Sequence, residues 1–108
     1  MNRRPDVLQA EQEVVYRAIA DVNDAWTQLT TGRERLAAER RTVEANRQVL
    51  RLSELRYRYG TAPYLQVLDA QRSLLEAQQS EIEAAYAAAE ADVLLYRAMG
   101  GGWGGSWE

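Results

Sequence analysis

Two series of apolar residues at a seven-residue spacing dominate the pattern of hydrophobic and polar positions. In the first series, every seventh position from 15 to 57 is apolar. The second series has the same step and consists of Leu68, Leu75, Ile82, Ala89 and Tyr96. Such a heptad repeat is typical of helices that pack along one face in a coiled coil. The pattern therefore predicts two long helices, at about 5–59 and 63–99.

The only turn signal between the two series lies at residues 60–63. Gly60 can adopt a positive φ, which commonly ends a helix. Thr61 can cap the helix that follows, and Pro63 has its φ preset for a first helical turn. We therefore expect the first helix to end at Gly60 and the chain to reverse tightly.

A reversal at this point brings the two apolar series face to face. The expected partners are Leu50 with Leu74 and Leu75, Val43 with Ile82, Leu36 with Tyr86 and Ala89, and Leu29 with Val93. The first helix is longer, so residues before about 22 overhang and their apolar side chains are exposed unless another chain covers them; these are Val14, Val15 and Ile19. The predicted fold is all-α: a long antiparallel helical hairpin, with one long and one shorter helix, and self-association is expected.

Composition excludes several classes of function. The chain has 13 basic and 16 acidic residues and a formal charge of -3, which argues against a nucleic-acid-binding protein. It has no Cys and no His, so thiolate zinc sites, disulfides and imidazole bases are excluded, and no cofactor is expected. Acidic pairs along the helices follow from composition, and no nucleophile–base arrangement or phosphate-binding loop is present. An enzyme is therefore not expected.

Two further stretches each allow two interpretations. The arginine-rich segments at 33–35 and 39–41 are either a basic patch for an anionic partner or a solvated helix face with ion pairs, and the solvated face is favoured. The Gly-rich end at 100–108 carries two Trp residues. It is expected to be a flexible terminus, and the alternative is an anchor at a membrane interface.

Four stretches resemble the TolC-like outer-membrane efflux channels, in particular the branch of lipoprotein channels in drug-efflux pumps. They are the Arg-Arg-Pro-Asp segment at 3–6 with the residues up to 11, the start of the long helix at 21–25, the tip and returning helix at 52–75, and the closing motif at 95–103. In the family, β-barrel strands separate the first two stretches. Here about ten residues do, so the resemblance identifies a fragment that lacks those strands.

The resemblance implies a function in transport. Such channels are trimers whose periplasmic helices pack into an α-barrel tunnel, and the hairpin tips meet a periplasmic adaptor that links the channel to an inner-membrane pump. The location implied is the periplasmic side of the outer membrane. The positions that match the adaptor-contacting tip are Tyr59, Gly60, Thr61 and Ala62. Those that match the closed aperture are Tyr57, Gln66 and Asp69.

Alternatives remain open for the aperture residues and for the whole chain. Asp69 is also explained by the helix dipole and by Arg72 nearby, and Tyr57 by its place in the heptad series. A plain structural or adaptor-like coiled-coil hairpin without transport activity is the alternative function. Each family protomer gives two hairpins and this chain gives one, so a closed barrel of this chain alone would need twice the family's subunit count.

Overall fold

The computed structural model describes residues 4–100, and side chains from residue 6 onward. It contains two helices, α1 (Arg4–Arg58) and α2 (Tyr64–Ala98), and no strand within the described range. The predicted all-α class is confirmed. The chain divides into two compact units, one formed by Gly32–Ala88 and the other by Met1–Thr31 with Ala89–Glu108.

The unit of Gly32–Ala88 is an antiparallel helical hairpin, as predicted. Its two ends meet, because a Cβ added at Gly32 would lie 3.5 Å from the Cα of Ala88 and 3.9 Å from its Cβ. Such distances are ordinary van der Waals contact between helix backbones, and they require small residues on both helices. The two helices are therefore in close contact at this end of the unit.

The turn ends α1 with a Schellman motif, in which the residue after the cap adopts a left-handed conformation. Gly60 has a φ of 73° and its N–H donates to the Tyr57 carbonyl at 3.0 Å. The Thr61 N–H donates to the Arg56 carbonyl at 2.9 Å, and the Thr61 hydroxyl donates to the same oxygen at 3.1 Å. Two carbonyls that the helix end would leave unpaired are thus satisfied. The expectation for Gly60 is confirmed, whereas Thr61 caps the end of α1 rather than the start of α2.

The buried residues of α2 in the hairpin are alanines together with Val67, and the predicted row of large residues is exposed. In the hairpin, the alanine row consists of Ala70, Ala77 and Ala84, all buried. Leu75, in contrast, is 65 % exposed, and Leu68 and Ile82 are exposed as well. The predicted pairs of Val43 with Ile82 and of Leu36 with Tyr86 are therefore wrong. Of the two residues predicted to meet Leu50, Leu75 is exposed, whereas Leu74 is half-buried. The helices are in close contact at Gly32 and Ala88, and the large residues of the predicted row point outward.

The buried face of α1 in the hairpin combines the predicted apolar row with a second row of small and polar residues. Val43 is 2 % exposed, and Leu36 and Leu50 are half-buried, in agreement with the prediction. The second row lies three residues further along each repeat and consists of Gly32, Glu39, Asn46 and Ser53. Ser53 is the buried polar residue of the described range. Close packing rather than bulk therefore characterises this interface.

The other unit has its buried residues where the two helix segments meet. Ala25, Leu29 and Ala91 are buried, whereas Val93, the predicted partner of Leu29, is exposed. Residues 6–21 of α1 are exposed throughout, including Val14, Val15 and Ile19, as predicted. No helix in the described part of the chain is both long and apolar enough to cross a membrane.

Candidate functional site

The tip of the hairpin presents an exposed tyrosine on a fixed turn. Tyr59 is 77 % exposed, whereas Ala62 is half-buried. The hydroxyl of Thr61 is already bound to the Arg56 carbonyl, so it is held as part of the cap. The four predicted tip residues, 59–62, are consecutive in the turn and lie together. The turn thus offers an aromatic side chain and exposed backbone to a partner, without a charged group among these four residues.

The glycine at the tip is required by its backbone conformation. A Cβ added at Gly60 would meet no atom within 4 Å, so steric crowding within the chain is not the reason for a glycine at this position. Its φ of 73° is a left-handed conformation that costs other residues roughly 1–2 kcal/mol. The open space in front of Gly60 also leaves room for an incoming partner.

The rings of Tyr57 and Tyr64 contact each other and join the two helices next to the turn. Their ring centroids are 5.0 Å apart and the rings are inclined at 58°. Aromatic pairs in such tilted arrangements contribute about 0.5–1.5 kcal/mol beyond the area they bury. Tyr57, predicted as an aperture residue or as part of the heptad series, therefore has a structural contact that sequence reasoning missed. Sequence carries a signal for it, because both tyrosines flank the turn.

The other two predicted aperture residues line one shallow groove beside the tip. Gln66 and Asp69 share this groove with Arg56 and Ser53, and the complete lining also includes Asn46, Val49, Leu52, Ala70 and Ser73. The carboxylate of Asp69 lies 3.6 Å from the guanidinium of Arg72, and both side chains are more than half exposed. An exposed pair of this kind adds little stability. Asp69 therefore keeps a solvent-exposed charge.

Each helix of the hairpin has a second face that no described residue covers. On α2 this face carries large apolar side chains, which are Leu68, Leu75, Ile82 and Tyr86. The helices also differ in charge. Residues 32–58 of α1 contain eight arginines and four glutamates, whereas residues 64–88 of α2 contain four carboxylates and one arginine. A basic helix thus lies beside an acidic one, and an outer face of α2 is electrostatically suited to an outer face of another α1.

These features define a helical hairpin with an exposed tip and an exposed apolar face on α2. The sequence profile of the family described as "Outer membrane efflux protein" matches residues 3–101. The chain belongs to the outer membrane efflux protein family, and the predicted resemblance is confirmed.

Three relatives show the extent of the similarity. The chain is 40 % identical over 92 residues to the "Probable efflux pump outer membrane protein TtgC" of Pseudomonas putida, covering 85 % of this chain and 19 % of the relative. It is 38 % identical over 99 residues to the "Pyoverdine export outer membrane protein OpmQ" of the same species, covering 91 % and 21 %. It is 30 % identical over 103 residues to the "Cation efflux system protein CusC" of Escherichia coli O6:H1, covering 95 % and 22 %.

The chain thus spans about a fifth of the length of these curated relatives. No solved structure matches it. The similarity identifies the family of the chain, and the names of the relatives describe proteins about five times as long.

Proposed function

We propose that this chain forms a periplasmic helical part of an outer-membrane efflux channel, in a pump that exports drugs or other small molecules. The observation that carries the proposal is the family match over residues 3–101 together with a hairpin whose helices have a second, uncovered face. Passage through a helical wall changes no covalent bond, so the proposal assigns no catalytic residue and no cofactor.

The uncovered face of α2 favours the proposal that neighbouring hairpins pack side by side and form the wall of a channel. A helix in such a wall must pack on both sides, whereas a helix in an isolated hairpin needs one apolar face. Burying large apolar side chains contributes about 1.5–3 kcal/mol each. The face formed by Leu68, Leu75, Ile82 and Tyr86 therefore favours association through α2, and the opposite charges of α1 and α2 favour α1 of the neighbour as the partner.

The tip supports a role in docking. Tyr59 is the exposed aromatic residue of the turn, and tyrosines are enriched among the residues that dominate binding energy. We assign the adaptor contact to Tyr59, Gly60, Thr61 and Ala62, with a periplasmic adaptor and an inner-membrane pump as partners. The aperture is assigned to Gln66 and Asp69, which share a groove, and Tyr57 holds the tip against Tyr64.

Self-association of the chain tests whether its hairpins pack side by side into such a wall. We expect light scattering after size exclusion to give an oligomer for the unmodified chain and a smaller mass for Ile82→Glu. Ser73→Glu is the matched control, because Ser73 is also exposed and lies two and a half turns before Ile82, on the opposite side of α2 from the apolar face, and it should keep the oligomer. A clean monomer of the unmodified chain, or equal loss in both variants, would contradict the proposed wall.

A measurement of adaptor binding distinguishes the proposed transport function from the alternative of a plain structural hairpin. The purified chain is titrated with the helical-hairpin domain of a periplasmic adaptor from a tripartite efflux pump, and binding is followed by interferometry. The transport proposal expects binding that weakens in Tyr59→Ala but not in Gln79→Ala, which alters an exposed residue away from the tip. Self-association without any adaptor binding would instead support the structural coiled-coil hairpin.

A further inference from the structure

The outer surface of α1 in the unit of Gly32–Ala88 carries an exposed row without charged side chains. This row, here called the outer α1 row, repeats every seven residues and consists of Ala38, Ala45 and Leu52, all exposed. Each member lies two residues after a position of the buried or half-buried row at 36, 43 and 50. Two residues correspond to about 200° around a helix, so the outer α1 row points away from α2.

The large apolar row on α2 has the corresponding outward position. Leu68, Leu75 and Ile82 each lie two residues before a buried alanine of α2, and all three are exposed. They too are therefore about 200° around the helix from the hairpin interior. The hairpin thus has one outward row on each helix, a large apolar row on α2 and a row of mainly small residues on α1.

The contact between Gly32 and Ala88 defines which residues of α1 and α2 lie at the same level. Because the helices are antiparallel, residues equally far from these two toward the tip are level with each other. Val43, eleven residues after Gly32, is level with Ala77, eleven residues before Ala88, and both are buried. The leucines at 36 and 50 are likewise level with buried alanines at 84 and 70. Inside the hairpin, a larger residue of α1 is therefore level with an alanine of α2.

The two outward rows repeat this arrangement with the helices exchanged. Consider a second copy beside the first, in the same orientation and with the tips level. Its outer α1 row then lies at the levels of the large apolar row on the first copy: Ala38 with Ile82, Ala45 with Leu75 and Leu52 with Leu68. Large residues opposite small ones allow two helix surfaces to interdigitate. Spacing and size therefore agree in this one register.

Charge favours this contact over the pairing of two identical faces. Residues 64–88 contain four carboxylates and one arginine, so two α2 helices placed together would bring like charges together. Residues 32–58 contain eight arginines and four glutamates, so the same holds for two α1 helices. Contact of α2 with α1 of a second copy joins opposite charges instead.

We propose that copies of this chain associate side by side in the same orientation with their tips level, and that the outer α1 row of one copy packs on Leu68, Leu75 and Ile82 of the next. The inference rests on the proposed function and specifies the partner surface and the register of the wall. The two rows lie on different helices, so each copy can bind one neighbour through α2 and another through α1. Such a head-to-tail contact is not confined to pairs.

Cysteine crosslinking in mixtures measures the register, because the native chain has no Cys. The full chain is prepared as four single variants, which are Ala38→Cys, Ala45→Cys, Leu75→Cys and Ile82→Cys. Matched mixtures combine Ala38→Cys with Ile82→Cys, or Ala45→Cys with Leu75→Cys. On mild oxidation we expect both to form a disulfide-linked heterodimer, which intact mass spectrometry without reductant distinguishes from either homodimer.

Crossed mixtures of the same four variants are the control. Ala38→Cys with Leu75→Cys, and Ala45→Cys with Ile82→Cys, are each displaced by seven residues from the proposed register. Seven residues span about 10 Å along a helix, whereas a disulfide bridges Cα atoms at most about 7 Å apart. The crossed mixtures should therefore give little heterodimer, and circular dichroism checks that all four variants keep their helix content.

Several results would overturn the proposed register while leaving the wall in place. They are equal heterodimer in matched and crossed mixtures, no heterodimer in either matched mixture of a chain that is oligomeric, and a Leu75→Cys homodimer in excess of the heterodimer. The last result would show that two α2 faces pair with each other. A monomer of the unmodified chain in light scattering would instead contradict the wall itself, and this inference with it.

Discussion

Replacing Ala84 by Leu tests the finding that the alanine row is the interior of the hairpin. Ala84 is 0 % exposed, and the neighbouring contact between Gly32 and Ala88 shows that the helices are already in van der Waals contact. Three additional carbon atoms have no space there, and overpacking of this kind costs about 1–3 kcal/mol. Ala84→Leu should therefore lower the free energy of unfolding by that amount, although leucine is an apolar residue with good helix propensity.

Ala85→Leu is the matched control for this substitution. Ala85 is the next residue along α2 and is exposed, so the same change adds the same atoms without overpacking. We expect its free energy of unfolding to stay within about 0.5 kcal/mol of the unmodified chain. Urea denaturation followed by helical circular dichroism at one low protein concentration measures both variants. Equal stability of the two variants, or a more stable Ala84→Leu, would refute the inward orientation of the alanine row.

Three further substitutions have defined outcomes. Gly60→Ala should destabilise the hairpin by roughly 1–2 kcal/mol because of the positive φ, whereas Gly60→Asn should cost less, since Asn tolerates that conformation; equal losses on denaturation would contradict the conformational explanation. Gly32→Ala should raise the melting temperature, because the Cβ of the new alanine fits at 3.5 Å from the Cα of Ala88 and the helix propensity improves by about 1 kcal/mol. A lower melting temperature would show that the helices cannot accommodate a methyl group. Tyr57→Leu should lose the pairing with Tyr64, worth about 0.5–1.5 kcal/mol, and a double-mutant cycle with Tyr64→Leu that shows no coupling would refute that contact.

Helix class, turn and topology follow from the sequence because local signals agree with the fold. The heptad spacing predicts both helices, and Gly60 is the one residue between them that adopts a left-handed conformation at no steric cost. The tip and aperture residues were located by resemblance to the family. Their contacts, such as the pairing of Tyr57 with Tyr64, depend on side-chain placement that spacing alone does not determine.

The orientation of α2 was predicted incorrectly because two heptad rows compete on it. One row consists of large residues, and the other places an alanine at every seventh position from 70 to 98. Assigning the larger residues to the interior is reasonable for a hairpin that stands alone, since it buries more apolar area. Gly32 on α1 is a signal for close approach of the helices, and close approach favours small residues such as alanine on α2.

A cysteine pair measures the central claim, that the chain doubles back at Gly60 with small residues inside. The native chain has no Cys, so Gly32→Cys with Ala88→Cys introduces the only two thiols. The separation of 3.9 Å between the added Cβ and the Cβ of Ala88 falls within the range of about 3.5–4.5 Å for disulfides. On mild oxidation we expect an intramolecular disulfide, seen as a faster-migrating monomer without reductant, while the pair of Gly32→Cys with Ala85→Cys stays reduced. Equal crosslinking of both pairs, or disulfides only between chains, would contradict the hairpin.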